Sequence, residues 1–286
     1  MHEPNIVLLA GGISSRMKRS AAVVANETLR NEAVGKSKAM IGVGAGQRPF
    51  LDYLLSNVQS AGYRDVVLLI GENDTGMREY YNRRNKGGFL KEMDIRFAEQ
   101  KIPPGRTKPL GTADALLRAL ESRPDWKSQQ LTVCNSDNLY SVGALRLLLE
   151  SPASNALIKY DLEALRFPPE RIRQFAVIRT DSDGYLTDII EKPSEEQWKS
   201  VSGRPGVSMN IFRFNYNDIL PFLRAVPLHP ERLEKELPEA VRMMVQARPR
   251  SVKTYERAEY VPDLTTVEDI PQVQQYIREN FEGMML

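Results

Sequence analysis

The apolar run at Asn5-Ile6-Val7-Leu8-Leu9-Ala10 stops abruptly at Gly11-Gly12. It lacks the polar alternation of a half-exposed strand, so both of its faces must be covered. That is what a parallel sheet flanked by helices demands. Similar runs recur at 66–70 (VVLLI, ended by Gly71), 95–98 and 131–134. Between them Phe50, Leu51, Leu54, Leu55, Val58 and Ala61 recur at helical spacing, with Gly62 as a stop signal. Thr112 can cap a helix carrying Ala115, Leu116, Ala119 and Leu120, and Ser141 one carrying Leu145, Leu148 and Leu149. Alternating strands and helices imply right-handed crossovers and a Rossmann-like, mainly parallel α/β sheet.

The second half is less regular. Segments 156–160, 175–179 and 185–190 read as strands, the last two joined by the hairpin signal Asp181-Ser182-Asp183-Gly184. Another strand is predicted over 209–214, interrupted by Asn210. A helical stretch at 231–248 contains Pro238, which should end or kink it. An edge strand is expected at 252–255. A last helix covers 267–281, with Thr265 or Thr266 as cap and Pro271 calling for a kink or a later start. No linker divides the chain, so 1–286 reads as a single domain with an antiparallel extension in its second half.

Composition removes several functions. The 39 basic and 37 acidic residues leave a net charge of +2, which argues against general nucleic-acid binding and polybasic membrane anchoring. Cys134 is the lone cysteine, and His2 and His229 are the only histidines, so neither a disulfide nor a Cys/His zinc cluster is available. The first apolar run is too short for a signal peptide or membrane span. The expected setting is cytoplasmic; homo-oligomerisation is left open.

A ligand of such a sheet belongs beyond the carboxyl ends of the strands. There the first strand runs into Gly11-Gly12-Ile13-Ser14-Ser15-Arg16-Met17. Paired glycines admit a phosphate close to backbone N–H groups, and Arg16 offers a planar fork to phosphate oxygens. Taken alone, the loop also fits a plain strand-to-helix turn with a solvated arginine. Two other glycine patterns fail. Gly35-Lys36-Ser37 would be a P-loop tail only with glycine in place of Arg30, and 42–46 lacks the third glycine of a dinucleotide loop and reads as a mobile turn.

With its neighbours, the loop resembles the signature of sugar-phosphate nucleotidyltransferases, the pyrophosphorylases that form NDP-sugars. Lys38-Ala39-Met40-Ile41-Gly42-Val43 resembles the lysine segment of that family. Pro109-Leu110-Gly111-Thr112-Ala113-Asp114-Ala115 resembles its second glycine motif, and Ser136-Asp137-Asn138 its metal motif. Glu191-Lys192-Pro193 matches its Glu-Lys-Pro, Asn210 falls in the following strand, and Asp263 lies in a segment resembling its late aspartate.

The resemblance implies in-line transfer of a nucleoside monophosphate from an NTP to a sugar 1-phosphate. Both reactants are polyanions, so cations and Mg2+ are needed more than a protein nucleophile. It assigns Arg16 to the triphosphate, Lys38 to the attacked phosphate with Lys36 as competitor, and Lys192 to the sugar phosphate. Asp137 and Asp263 would hold magnesium. Glu191 and Asn210 would take sugar hydroxyls. Leu9, Ala10, Gly11, Gly12, Gln100, Gly111 and Thr112 would line the nucleotide, with Gln100 and the Leu9–Ala10 backbone reading the base. Ser136, where relatives carry glycine, should crowd the site, and Cys134 should be core. The insertion 18–36 reads as a lid or a surface loop. The Gly-Thr-Ala-Asp-Ala form hints at adenosine, but the chain has no room for the extra C-terminal domain of bacterial ADP-glucose pyrophosphorylases.

Other readings stay open. The Ser-Ser-Arg-Met loop also resembles enzymes that transfer a nucleotide to a polyol phosphate, choline phosphate or molybdopterin. A nucleotide-sugar glycosyltransferase would want an Asp-x-Asp motif, which Asn135-Ser136-Asp137 lacks. A non-catalytic nucleotide-sugar-binding protein need not keep Arg16, Lys38, Asp137 and Lys192 together.

Overall fold

A computed structural model describes residues 4–22, 35–86, 90–201 and 205–281. Most of the 18–36 insertion, including Arg30, lies outside the described residues, so the lid reading falls there too.

The first four strands are β1 (Asn5–Leu9), β2 (Asp65–Gly71), β3 (Asp94–Gln100) and β4 (Gln130–Asn135). They pair in parallel in the order β3-β2-β1-β4, with Val7 opposite Val67 on one side and Val133 on the other. Ile6, Val7 and Leu8 are fully buried. Ile6 and Leu8 join the core beneath α2 (Phe50–Ala61), which follows α1 (Ser15–Ala21). Val7 joins the opposite core. Removal of each such side chain from water contributes about 2 kcal/mol. Gly62 ends α2 at φ 109°, as its position suggests.

The sequence reading missed α3 (Thr75–Lys86), a polar helix that joins β2 to β3. Its anchor is Asp52, fully buried on α2, which accepts the Tyr80 and Tyr81 hydroxyls at 2.9 Å each and Arg84 at 3.2 Å. The turn at 42–46 is packed at its start, where Gly42 bridges Pro49 and a Cβ on Gly44 would run into the Tyr53 hydroxyl, and exposed at Ala45 and Gly46.

Helices α4 (Thr112–Ser122) and α5 (Val142–Leu149) cover opposite faces. Ser141 caps α5 by accepting the Ala144 N–H at 3.0 Å. Thr112 does not cap its own helix. Its hydroxyl accepts the Leu237 N–H at 2.9 Å, at the start of a distant helix.

Beyond β4 the sheet turns antiparallel. It continues through β5 (Ala156–Asp161), β6 (Ala176–Thr180), β7 (Leu186–Ile190), β8 (Gly206–Ser208), β9 (Ile211–Asn215) and β10 (Lys253–Arg257). The spatial order is β4-β9-β5-β8-β6-β7, with β10 parallel to β5. The 181–184 hairpin joins β6 to β7 as read. Short helices α6 (Pro169–Ile172) and α7 (Glu195–Lys199) precede β6 and β8, and α8 (Tyr216–Ala225) follows β9.

Pro238 does not kink a long helix. It sits in the first turn of α9 (Leu237–Ala247), where its missing N–H costs nothing. Pro271 likewise opens α10 (Ile270–Phe281), after a short 3-10 turn capped by Thr266. Among the described residues no helix is long and apolar enough to cross a membrane.

Candidate active site

A cavity of about 440 Å³ opens at the carboxyl ends of β1, β3 and β4 and runs to the end of β7. Its wall contains every site residue read from the sequence: Leu9 to Gly12, Arg16, Lys38, Gln100, Gly111, Thr112, Asp137, Glu191, Lys192, Asn210 and Asp263. Lys36, the competitor of Lys38, does not line it.

Local structure explains each placement. Ser14 turns the first loop through φ 55° and precedes α1. Its hydroxyl accepts the Lys38 N–H at 3.2 Å, which ties the lysine segment to the glycine loop. Buried Ala39 and Met40 anchor that segment, and Lys38 Nζ donates to Asp137 Oδ2. Asp137 follows β4. An antiparallel bridge between Asn138 and Asp263 brings the late aspartate beside it, reinforced by Leu264 N–H to the Asp137 carbonyl at 2.8 Å. The two aspartates are 126 positions apart in sequence and neighbours in space.

Asp263 is 7% exposed, and burial pushes its carboxyl up; the charge of Asp137 adds to this, while Arg171, Thr265 and Lys38 oppose it. Thr265 Oγ1 donates to its Oδ1 at 2.8 Å, and Arg171 pairs with Oδ2 at 3.0 Å. Arg171, on α6, escaped the sequence reading. It also pairs with Asp269, and its guanidinium lies 4.5 Å over the Phe167 ring. Nothing in the local sequence marks it, because its partners lie 92 and 98 residues away.

The far wall of the cavity rests on backbone kinks. Lys192 leaves β7 at φ 46°, and Asn210 has φ 55°. Asn210 therefore does not interrupt a strand; it forms the bend between β8 and β9. Asparagine tolerates this left-handed conformation better than most residues. Tyr140 braces the bend, its hydroxyl donating to the Met209 carbonyl at 2.6 Å. Glu191 faces the cavity with Oε2 buried and without a hydrogen-bond partner among the described residues. Burial raises its pKa to about 7. Glu236 adds to that shift, while Lys192, Arg232 and Arg16 oppose it. Three cations from separate segments thus act on one carboxyl.

Ser136 lines the cavity, but its hydroxyl is turned back toward β1. Its hydroxyl and N–H both donate to the Leu9 carbonyl, at 2.9 and 3.2 Å, and lock β1 to the end of β4. The Leu9 carbonyl is therefore spent within the protein, as is the Ala10 N–H, which donates to Leu69 O at 2.8 Å. Cys134 is fully buried in the core, and burial pushes its thiol up. The segment around Lys235 closes over Gly111. Ala113 N–H donates to the Lys235 carbonyl at 2.9 Å, and Lys108 Nζ donates to Glu234 Oε1 and the Arg232 carbonyl at 2.7 Å each. Lys108, Glu234 and Glu236 line the cavity too and were not anticipated.

Comparison with known proteins places the chain among relatives of one kind. The model of the nucleotidyl transferase family matches residues 33–280. A valienol-1-phosphate guanylyltransferase of Streptomyces hygroscopicus subsp. limoneus is 28% identical over 205 residues, covering 66% of this chain and 51% of that protein. A glucose-1-phosphate adenylyltransferase of Vibrio vulnificus is 27% identical over 214 residues, covering 73% of this chain and 48% of that protein. The chain thus spans about half the length of these curated relatives. The crystal structure of a UDP-glucose pyrophosphorylase complexed with UDP-glucose superposes with a TM-score of 0.70 at 16% identity, over 98% of this chain and 99% of that one.

Proposed function

Since the chain belongs to the nucleotidyl transferase family, we propose that it transfers a nucleoside monophosphate from an NTP to a sugar 1-phosphate, releasing pyrophosphate and forming an NDP-sugar. The observation that carries this reading is the convergence of Arg16, Lys38, Lys192, Asp137 and Asp263, from five separate segments, on one cavity. We read the chain as one nucleotidyltransferase domain, because a single sheet takes in all ten strands of the described residues.

A phosphate oxygen of the sugar 1-phosphate attacks the α-phosphorus, and the bond to the β-phosphate oxygen breaks. Arg16 at the cavity mouth steadies the departing pyrophosphate, and Lys38 lowers the repulsion at the attacked centre. Lys192 holds the sugar phosphate. Glu191 Oε2 and the Asn210 amide accept and donate hydrogen bonds to the sugar. The Gly11-Gly12 loop admits the triphosphate: a Cβ on Gly12 would meet nothing within 4 Å.

Asp137 and Asp263 fit a hard divalent cation. A deeply buried carboxyl beside a second one is a pair that positive charge relieves, and magnesium takes one or two carboxylates with phosphate oxygens. When bound, Mg2+ would supply charge neutralisation on the phosphates.

The relatives named above act with three different nucleotides, so the base is not inherited from them. The test is pyrophosphate release across ATP, UTP, CTP, GTP and dTTP, crossed with sugar 1-phosphates and valienol 1-phosphate, with magnesium present or chelated. A magnesium-dependent hit is expected. Silence across the grid from folded protein would overturn the reading.

A further inference from the structure

At the end of β3 the cavity wall holds an amide whose orientation is fixed. Gln100 is 3% exposed. Its Nε2 donates to the Gly111 carbonyl at 2.9 Å and to Asp114 Oδ2 at 2.8 Å, which uses both of its protons. The Gly111 carbonyl and the Asp114 carboxylate only accept. Turning the amide over would set its oxygen against two oxygens and forfeit both bonds. Gln100 Oε1 therefore faces the glycine loop, 3.5 Å from where a Cβ on Gly11 would stand. Asp114, 4% exposed, is held in turn: Arg118 Nε and Nη2 donate to its Oδ1 at 3.2 and 3.1 Å, leaving Oδ2 for Gln100.

We propose that Asp114 is a positioning residue for nucleotide selection. By taking one proton of the Gln100 amide, it makes Gln100 present its oxygen alone to the nucleobase. The pocket then favours a base with an N–H on the edge that meets Gln100 and disfavours one with only a lone pair there. The inference rests on the nucleotidyl-transfer reading and deepens it. Asp114 touches no substrate; it acts through Gln100.

The test is calorimetric binding of the five NTPs without sugar phosphate, on wild type, Asp114→Asn, Gln100→Leu and the double variant, each checked by thermal melting. Asn at position 114 offers a donor, so the Gln100 amide is released to turn. Asp114→Asn is expected to weaken the preferred NTP by about tenfold to a hundredfold. The order of preference should also shift toward bases with an acceptor at that edge. In the Gln100→Leu background the same change is expected to do nothing further. An unchanged affinity and order in Asp114→Asn would overturn the proposal, and so would an equal loss in both backgrounds, which marks a merely structural role. On the wild-type protein, methylating the edge N–H of the preferred nucleotide should weaken binding by a similar factor. Unchanged affinity there overturns the proposal without any variant. If the wild type binds none of the five NTPs, the nucleotidyl-transfer reading itself falls, and the inference with it.

Discussion

The two halves of the cavity are built differently. On the proposed nucleotide side, Gly11, Gln100 and Asp137 stand at or just past the carboxyl ends of parallel strands β1, β3 and β4. The buried sheet delivers them there whatever the loops do. On the proposed sugar side, Lys192 and Asn210 sit at φ 46° and 55°, on bends of short antiparallel strands, the Asn210 bend braced by Tyr140. One wall is placed mainly by regular hydrogen bonding, with Ser14 at φ 55° its one left-handed non-glycine residue among the described residues. The other is placed by strained single residues, each costing about 1 kcal/mol or more, held by tertiary contacts. The nucleotide side should therefore tolerate changes of surface chemistry without loss of shape, and the sugar side should couple chemistry to local stability.

The sharpest break is at the junction. Asp137→Asn removes a carboxylate from the pair with Asp263 and weakens the partner of Lys38. Magnesium-dependent turnover is expected to disappear while the melting temperature stays within a few degrees; wild-type turnover on a magnesium titration would sink the metal assignment. Arg16→Ala, at an exposed site on the nucleotide side, should lower turnover by about two to three orders of magnitude, by analogy with loss of one preorganised donor. Steady-state kinetics would show it, with little change in melting because the side chain packs against little.

Gly111→Ala tests the nucleotide wall through its backbone. Gly111 has φ 106°, and an added Cβ would stand 2.6 Å from the Lys235 carbonyl. The segment around Lys235 must move, so the KM for NTP should rise by about tenfold or more, with roughly 1–3 kcal/mol of stability lost. A variant with unchanged KM would mean that this segment does not cover the nucleotide.

The smallest effect on turnover belongs to the proposed sugar side. Glu191, raised to about 7 from an ordinary 4.5, is bound to a proton in the fold at pH values where the unfolded chain has released it. Stability it confers is present below about pH 4.5 and is lost as pH rises toward 7. Above that, the charged carboxylate costs up to about 3 kcal/mol. Glu191→Gln should therefore melt higher than wild type at pH 8 and nearly equal it at pH 4.5. Its kcat/KM for the sugar 1-phosphate should lose a rise with pH centred near 7, since only the carboxylate accepts freely from sugar hydroxyls. A pH profile identical in both proteins would remove Glu191 from the sugar side.

Much of this was legible in the chain. The four parallel strands, the Gly62 stop and the Ser141 cap follow from local pattern, because a strand buried on both faces cannot hide its composition. The site residues were legible as motifs in order, and the cavity gathers them. The helix Thr75–Lys86 was not legible, since only Met77, Tyr80 and Tyr81 of its polar sequence turn to the core, and the two tyrosine hydroxyls are held by Asp52 on another helix. Pro238 was read as a break or kink inside a helix, because a helix start is decided by what precedes it in space. For α9 that is the Thr112 hydroxyl, 125 residues away. The later start allowed for Pro271 is what the last helix shows. Asn210 looked like a polar interruption of a strand, because a left-handed bend leaves no periodic trace.

By itself, then, the sequence determined the parallel half-sheet, its helices and the residue types that can handle phosphate, since these depend on burial and spacing along the chain. Only the tertiary structure decided which lysine reaches the carboxylates, that Arg171 flanks Asp263, that Ser136 closes the Leu9 carbonyl and that Gln100 shows its oxygen to the cavity. Each of those is a contact between residues tens to more than a hundred positions apart, or a choice among hydrogen-bond partners, and neither is encoded in any local window.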